Sequence, residues 1–216
     1  MYIPRSNRFE DRDGILAFIR RFPFGTLISL QGRRPLATHL PFLARAQGDT
    51  ICLYAHLALG NPQARILEEA ESLAIFMEPQ AYISPAHYTS ELEVPTWNYI
   101  AVHAYGTCEI LSDPDARTQL MEDSIGTFEP AYLRQWKRLP EEFRQREMNG
   151  IVVFRVLAGE LQGKKKLSQN KTPEEQRRII AALDASAASP ERWVAQYMQQ
   201  RLNDAAGSPA PAEPQP

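Results

Sequence analysis

Only two of the 216 residues are cysteine, Cys52 and Cys108. A pair this sparse makes no disulfide framework and its spacing matches no metal site, so both are expected to be small buried hydrophobes. No apolar run approaches the ~20 residues that a membrane-spanning helix needs. The stretch from Met1 to Phe9 has no apolar core behind its charges, which argues against a secretory signal and for a cytoplasmic protein. Neither sign of charge dominates, with 24 Lys and Arg against 26 Asp and Glu. That balance excludes a uniformly basic nucleic-acid binder and leaves any DNA contact to a local patch. A glycine-rich phosphate loop in a βαβ setting is absent, which argues against a doubly wound nucleotide fold. Missing too are HExxH, a nucleophile elbow and a paired-carboxylate motif. His39, His56, His87 and His103 are too scattered to serve as metal ligands, so neither a catalytic residue nor a metal site is assigned.

The 44% hydrophobic content is ordinary for a globular chain and sufficient for a sizeable core. Ile15, Phe18, Ile19 and Phe22 form one stripe of an amphipathic helix that Pro23 ends. Strands are then expected at 25–30, 36–44 and 50–56, with turns at Gln31-Gly32-Arg33 and Ala46-Gln47-Gly48-Asp49. Asn61-Pro62 starts a short helix over 63–70, followed by strands at 72–77 and 81–84. One long strand fits 96–111, with Trp97, Tyr99, Ala101, His103 and Tyr105 on one face and Gly106 as a bend. Helices are expected from Asp113-Pro114 and over 140–147, and a strongly apolar strand over 151–157. Thr172-Pro173-Glu174-Glu175 reads as a capping box, and Ser189-Pro190 opens the last helix.

Four clusters combine aromatics, histidine and amides with strand ends. In Thr38-His39-Leu40-Pro41-Phe42 the proline cannot donate to a ladder, so backbone groups freed there can bond a ligand, or the segment is simply an edge strand. In Tyr54-Ala55-His56-Leu57-Ala58, closing on Asn61-Pro62, a capped helix start could hold an anion, or only water. In Val94-Pro95-Thr96-Trp97-Asn98-Tyr99 the rings could stack on a flat heterocycle whose edge Asn98 meets, or pack in an interface. Residues 163–171, with Lys164, Lys165, Lys166, Ser168, Gln169, Asn170 and Lys171, read as a loop dense in donors that would suit a phosphate, or as a solvated basic loop.

The order and wording of these segments carry a resemblance that none carries singly. Met1-Tyr2-Ile3-Pro4, His39-Leu40-Pro41-Phe42, His56-Leu57-Ala58 with Asn61-Pro62, Ala81-Tyr82-Ile83-Ser84-Pro85, Val94 to Tyr99 and Lys166-Leu167-Ser168-Gln169-Asn170 resemble the PaiB family of FMN-binding negative transcriptional regulators. The resemblance implies a mainly β fold, the FMN-binding split β-barrel with peripheral α-helices, and a homodimer with flavin between subunits. It covers the chain to about Asp204, read as a barrel over 1–171 and a helical pair over 172–204. Beyond that, composition alone, with almost no apolar surface to bury, leads us to expect a disordered Pro/Ala-rich tail over 205–216. The expected cofactor-binding set is His39, Leu40, Pro41, His56, Asn61, Trp97, Asn98, Tyr99, Lys164, Lys166, Ser168, Gln169 and Asn170. Lys165 departs from the aromatic or bulky residue common in that family and puts in doubt a hydrophobic cover over the flavin from this position. A regulator without turnover is the first reading. The alternative is a split-barrel flavin-dependent oxidoreductase acting on a small cofactor or haem. DNA enters by family resemblance only, because the last helix carries just Arg192 and Arg201 as basic residues and looks docked rather than free to read a groove.

Overall fold

The computed structural model describes residues 1–207. In chain order the elements are β1 (Arg8–Phe9), α1 (Arg12–Arg21), β2 (Phe24–Gln31), β3 (Arg34–Pro41), β4 (Leu43–Gln47), β5 (Thr50–Ala58), β6 (Ser72–Ile83) and β7 (Thr96–Ile110), then α2 (Pro114–Phe128), α3 (Leu133–Trp136), α4 (Glu141–Asn149), β8 (Ile151–Lys166), α5 (Pro173–Asp184) and α6 (Ser189–Gly207). The strands pair in the order β3-β2-β6-β7-β8-β5-β4, with β1 on β8. The fold is mainly antiparallel β with peripheral helices, as expected. Its contacts divide it into two units. One comprises Met1–Phe9, Met77–Ala101 and the chain from Gly163, and the other Glu10–Phe76 and Val102–Gln162.

The second unit is built from local signals. Asp11 caps α1 by accepting from Gly14 N at 3.1 Å, and the expected stripe of Ile15, Phe18, Ile19 and Phe22 is buried. Arg20 Nε donates to Ala44 O at 3.0 Å, tying α1 to β4. Two-residue turns close β2–β3 and β4–β5, and Gly32 (φ 61°) and Gly48 (φ 55°) supply the left-handed backbone these need. Phe42 and Phe76 meet edge to face at 5.3 Å among the fully buried Leu27, Ile51, Leu53 and Phe154. Leu43, Leu120, Met148 and Val153 form a smaller core joining β4, α2, α4 and β8. Cys52 and Cys108 are buried and free, as expected.

In the first unit α5 begins at the expected capping box. Glu175 accepts from Thr172 N at 3.0 Å while its own N–H reaches Thr172 Oγ1 at 3.3 Å. Its other oxygen accepts from Thr89 N at 2.9 Å and Thr89 Oγ1 at 2.8 Å, anchoring the segment before β7 to the helix. Val194, Ala195 and Met198 of α6 are buried. Arg192 donates to Ser186 O, and Arg201 to Gln176 Oε1 at 2.9 Å, so both basic residues of the last helix are committed inside the helix pair.

Several expectations are corrected. The helix at 63–70 is only a 3-10 turn, Pro62–Arg65, since few apolar periodic residues follow to extend it. The strands at 72–77 and 81–84 are one strand, β6. The strand at 36–44 is broken at Phe42 between β3 and β4. Residues 163–166 continue β8 rather than forming a loop, because Gly163 and Lys164 pair with Phe9 and Arg8. Along β7 the expected alternation holds, with Asn98, Ile100, Val102 and Ala104 on the buried face and, on the other, Trp97, Tyr99, His103 and Tyr105 partly exposed beside a buried Ala101. The short helix α3 stands where the sequence pattern predicts no element. Helix α6 continues through Gly207, past the expected start of the tail, and residues 208–216 lie outside the described residues.

Two glycines make opposite tests. A Cβ on Gly106 would stand 2.0 Å from Leu157 O, so β7 and β8 approach there too closely for any side chain. Gly106→Ala is expected to destabilise by at least ~1–3 kcal/mol, the usual cost of overpacking. Gly126, within α2, has nothing within 4 Å of its virtual Cβ, and Gly126→Ala should stabilise by ~0.5–1 kcal/mol. Urea denaturation of both variants checks the pair. The hydrogen bonds from Thr89 and Thr172 lower the Glu175 carboxyl to a pKa of about 2. Its contribution is therefore present above the ordinary carboxylate range and lost as pH falls toward about 2. Glu175→Gln should lower Tm at neutral pH and flatten its decline between pH 5 and pH 2, measured as Tm against pH (~ two-state melting assumed).

Candidate functional site

Strand β8 places three successive lysines on alternating faces of the first unit, and each meets a ring or a carbonyl rather than bulk water. Lys164 is buried, donates to Tyr2 O at 3.2 Å and lies 5.1 Å from the Tyr99 ring centre. Lys165 sits 3.7 Å over the Phe9 ring and 5.8 Å from that of Tyr197. Lys166 Nζ donates to Thr96 Oγ1 and, at 2.8 Å, to Trp97 O. Burial holds the Lys166 ammonium below its ordinary pKa, with Tyr99 opposing and Lys164 adding to that shift.

Beyond Lys166 the chain reverses over Leu167–Lys171, where Lys171 N donates to Ser168 O at 3.1 Å. Ser168 has φ 57°, in the left-handed region that a residue with a Cβ rarely occupies. Its hydroxyl donates to Asn98 Oδ1 at 3.1 Å and accepts from Asn98 Nδ2 at 3.0 Å. Asn98 is 0% exposed, and its amide also reaches Met198 Sδ at 3.4 Å. The amide expected to read a heterocycle's edge is thus spent inside the protein. Gln169 is spent likewise, accepting from Leu167 N at 2.7 Å and donating to Lys165 O. Among the described residues the Asn170 side chain has no hydrogen-bond partner, and it lines a cavity of about 320 Å³ with Tyr88, Thr96, Lys166, Ser168 and Lys171. Lys171 pairs with Glu93 at 2.5 Å and stands 3.9 Å over the Tyr88 ring. Tyr88 is 7% exposed, and among the described residues its hydroxyl has no hydrogen-bond partner. Trp97 is 54% exposed and meets Tyr82 edge to face at 5.8 Å, leaving an open aromatic surface on β6 and β7.

The second unit holds the other expected residues. His39 Nδ1 bonds Thr26 Oγ1 at 2.8 Å across the β2–β3 pair, Leu40 is buried opposite Gly25, and Pro41 ends β3 opposite Phe24. His56 faces Val153 on β8, half-buried, and burial lowers its pKa. Asn61 Oδ1 accepts from Gln63 N at 2.9 Å, and its amide donates to Thr38 Oγ1 at 3.0 Å. With only a 3-10 turn behind it, Asn61 opens no helix long enough to attract an anion by its dipole. The structure adds a row of residues that sequence reasoning missed. Thr38 Oγ1 donates to Gln63 Oε1 at 2.7 Å, Gln63 Nε2 donates to Ser29 Oγ at 2.9 Å and to Leu27 O at 3.2 Å, and Ser29 meets Ser72 at 2.8 Å. No periodic signal marks Gln63 for burial, and it follows Asn-Pro like an ordinary helix-start residue.

Among the described residues no cluster of three or more His, Cys, Asp or Glu could hold a metal ion, and no helix is long and apolar enough to cross a membrane. A family model described as "Putative FMN-binding domain" matches residues 1–158, which leaves the Lys164–Asn170 segment beyond the matched part. The protease synthase and sporulation protein PAI 2 of Bacillus subtilis is 32% identical over 208 residues, covering 94% of this chain and 98% of that protein. The FAD and heme binding protein from Mycobacterium smegmatis shares the fold with a TM-score of 0.60 at 18% identity, over 89% of this chain and 97% of that one. The flavocytochrome Anf3 from Azotobacter vinelandii also gives a TM-score of 0.60, at 16% identity, over 76% of this chain and 72% of that one. Sequence and fold agree on the split barrel expected from the motifs. The chain belongs to the FMN-binding domain family, and FMN is the cofactor which that membership assigns to it.

Proposed function

We propose that this protein is a homodimeric FMN-binding regulator that holds the cofactor's phosphate in the cavity of the first unit and its ring against the Trp97 and Tyr99 face. The unpartnered Tyr88 hydroxyl beside a cavity that Lys166 and Lys171 also line is the observation that supports this most directly. A phosphate would give that hydroxyl, the Asn170 amide and the lysines an acceptor they lack or share. Lys164, Ser168, Gln169 and Asn98 position the turn. His39, Leu40, Pro41 and His56 are the second unit's own candidates for flavin contact, Asn61 being spent on Thr38 and Gln63, and the exposed Tyr82, Leu92, Val94 and Trp97 supply an apolar surface for the homodimer. Bound FMN supplies redox capacity at its isoalloxazine ring. The residues around it bind and orient, and none of them is assigned a proton to move. The regulatory role rests on the likeness to PAI 2 and on the motifs, with α6 acting as a docked helix rather than a DNA-reading one.

Titration of the full chain with FMN and with riboflavin, followed by flavin fluorescence, tests the phosphate assignment. A charge-assisted hydrogen bond contributes ~1.5–3 kcal/mol. Lys166→Met should therefore weaken FMN by roughly tenfold or more while riboflavin changes little. Equal losses for both ligands would remove phosphate from this cavity. Stopped-flow mixing of the FMN-loaded protein with NADH or NADPH separates regulator from oxidoreductase. Slow or absent bleaching of the flavin is expected, and fast bleaching that His39→Ala abolishes without loss of FMN would make the enzyme reading the better one.

A further inference from the structure

Within the second unit, α2, α4 and Trp136 line a cavity of about 400 Å³, and none of its lining residues belongs to the flavin set. Two donors there find no acceptor among the described residues. Trp136 is 6% exposed with its indole N–H unpaired, and the Nε of Arg144 is buried in the same condition. Among the described residues the Arg144 guanidinium has neither an ion pair nor a hydrogen-bond partner. Three other polar groups of the lining are already committed. Arg117 Nη2 donates to Met148 O at 2.5 Å, Gln145 donates to Glu141 at 3.3 Å, and Thr118 donates to Pro114 O at 2.9 Å. Buried donors without acceptors are rare in folded proteins and call for a partner that the chain itself does not supply.

We infer that this cavity is a second ligand site, for a small monoanionic organic acid whose carboxylate accepts from Arg144 and the Trp136 indole. The unpaired guanidinium selects the class. One carboxylate matches the single cation of the lining left without a partner among the described residues, whereas a second negative charge would face Asp115 and Glu141 and a neutral ligand would leave Arg144 unpaired. The apolar part of the acid lies against Trp136, Met148 and Pro114, giving the mixture of hydrophobic wall and few polar anchors typical of small-molecule pockets. Because the two sites share no residue, this inference stands or falls independently of the FMN assignment.

The test uses the full chain labelled with nitrogen-15 and follows the indole N–H resonance of Trp136, assigned by its disappearance in Trp136→Phe. Benzoate is the probe, with benzamide as its neutral isostere and inorganic phosphate as a competing anion class. Benzoate should shift the resonance saturably and benzamide should not. Arg144→Gln should raise the apparent Kd for benzoate by roughly tenfold or more, while FMN affinity and Tm stay near wild type. Arg144→Lys, the second variant, should keep a weakened response, since it retains charge without the planar guanidinium. An absent or unsaturable shift, an equal response to benzamide, or an unchanged Kd in Arg144→Gln overturns the site. A response to phosphate in place of benzoate overturns the organic-acid class.

Discussion

The first unit's site hangs on a buried bond between residues 70 apart in sequence, Asn98 on β7 and Ser168 just past β8. Ser168 occupies the left-handed backbone region at φ 57°, a conformation that costs ~1–3 kcal/mol in a residue with a Cβ. That cost is tolerated because the hydroxyl both donates to and accepts from the Asn98 side chain in a site closed to water. In return the chain reverses within a few residues, so that Lys166 at the end of the strand and Lys171 after the turn line the same cavity. A glycine at 168 would relax the backbone but remove the hydroxyl that holds the turn to β7. The backbone strain and the buried amide are two ends of one arrangement.

The lysines show how a chain with net charge −2 can still present concentrated positive potential. Each is drawn off the bulk solvent by something that favours a cation: the Tyr99 ring for Lys164, the Phe9 ring for Lys165, the Trp97 carbonyl for Lys166, and Glu93 with the Tyr88 ring for Lys171. Burial nonetheless works against the charge on Lys166, and the neighbouring Lys164 adds to the penalty. An anion in the cavity would relieve both effects together, so binding a phosphate there would repay part of the electrostatic cost the folded protein already carries. This is a physical reason for the site to prefer an anion over a neutral ligand of the same shape.

What the sequence made legible follows from how local each cause is. The α1 stripe, the glycine turns and the capping box at Thr172 are fixed by a few neighbouring residues, and all three stand in the structure. Residues 163–166 are strand because β1, from the opposite end of the chain, pairs with them, and no reading of Gly-Lys-Lys-Lys by composition can contain that fact. Alternation along β7 correctly separates two faces, but period says nothing about which face is buried. Ile100, Val102 and Ala104 pack inside while the larger aromatics stay outside. At Asn61 the capping signal is right and the helix it was expected to start is not, since a cap fixes a beginning without supplying the apolar stripe that sustains a helix. The family was legible through its wording, above all Trp-Asn-Tyr and Leu-Ser-Gln-Asn. Yet in both phrases the amide turned out to brace the structure: Asn98 through Ser168, and Gln169 across its own turn.

Polar side chains in this protein fall into two kinds, and the division separates scaffold from site better than residue type does. Gln63 with Thr38, Asn61, Ser29 and Ser72, and Asn98 with Ser168, are closed sets in which donors find acceptors. A ligand would have to break bonds to use them, losing about as much as it gained. The Tyr88 hydroxyl, the Trp136 indole N–H and the Arg144 Nε are the opposite case, buried atoms beside cavities with no partner among the described residues. A motif made of amides and hydroxyls can belong to either kind, because the residue names are the same and only the partners differ. For the proposed flavin site the partners therefore favour Tyr88, Lys166 and Asn170, which line a cavity, over Asn98 and Gln169, whose amides are already bonded within the protein.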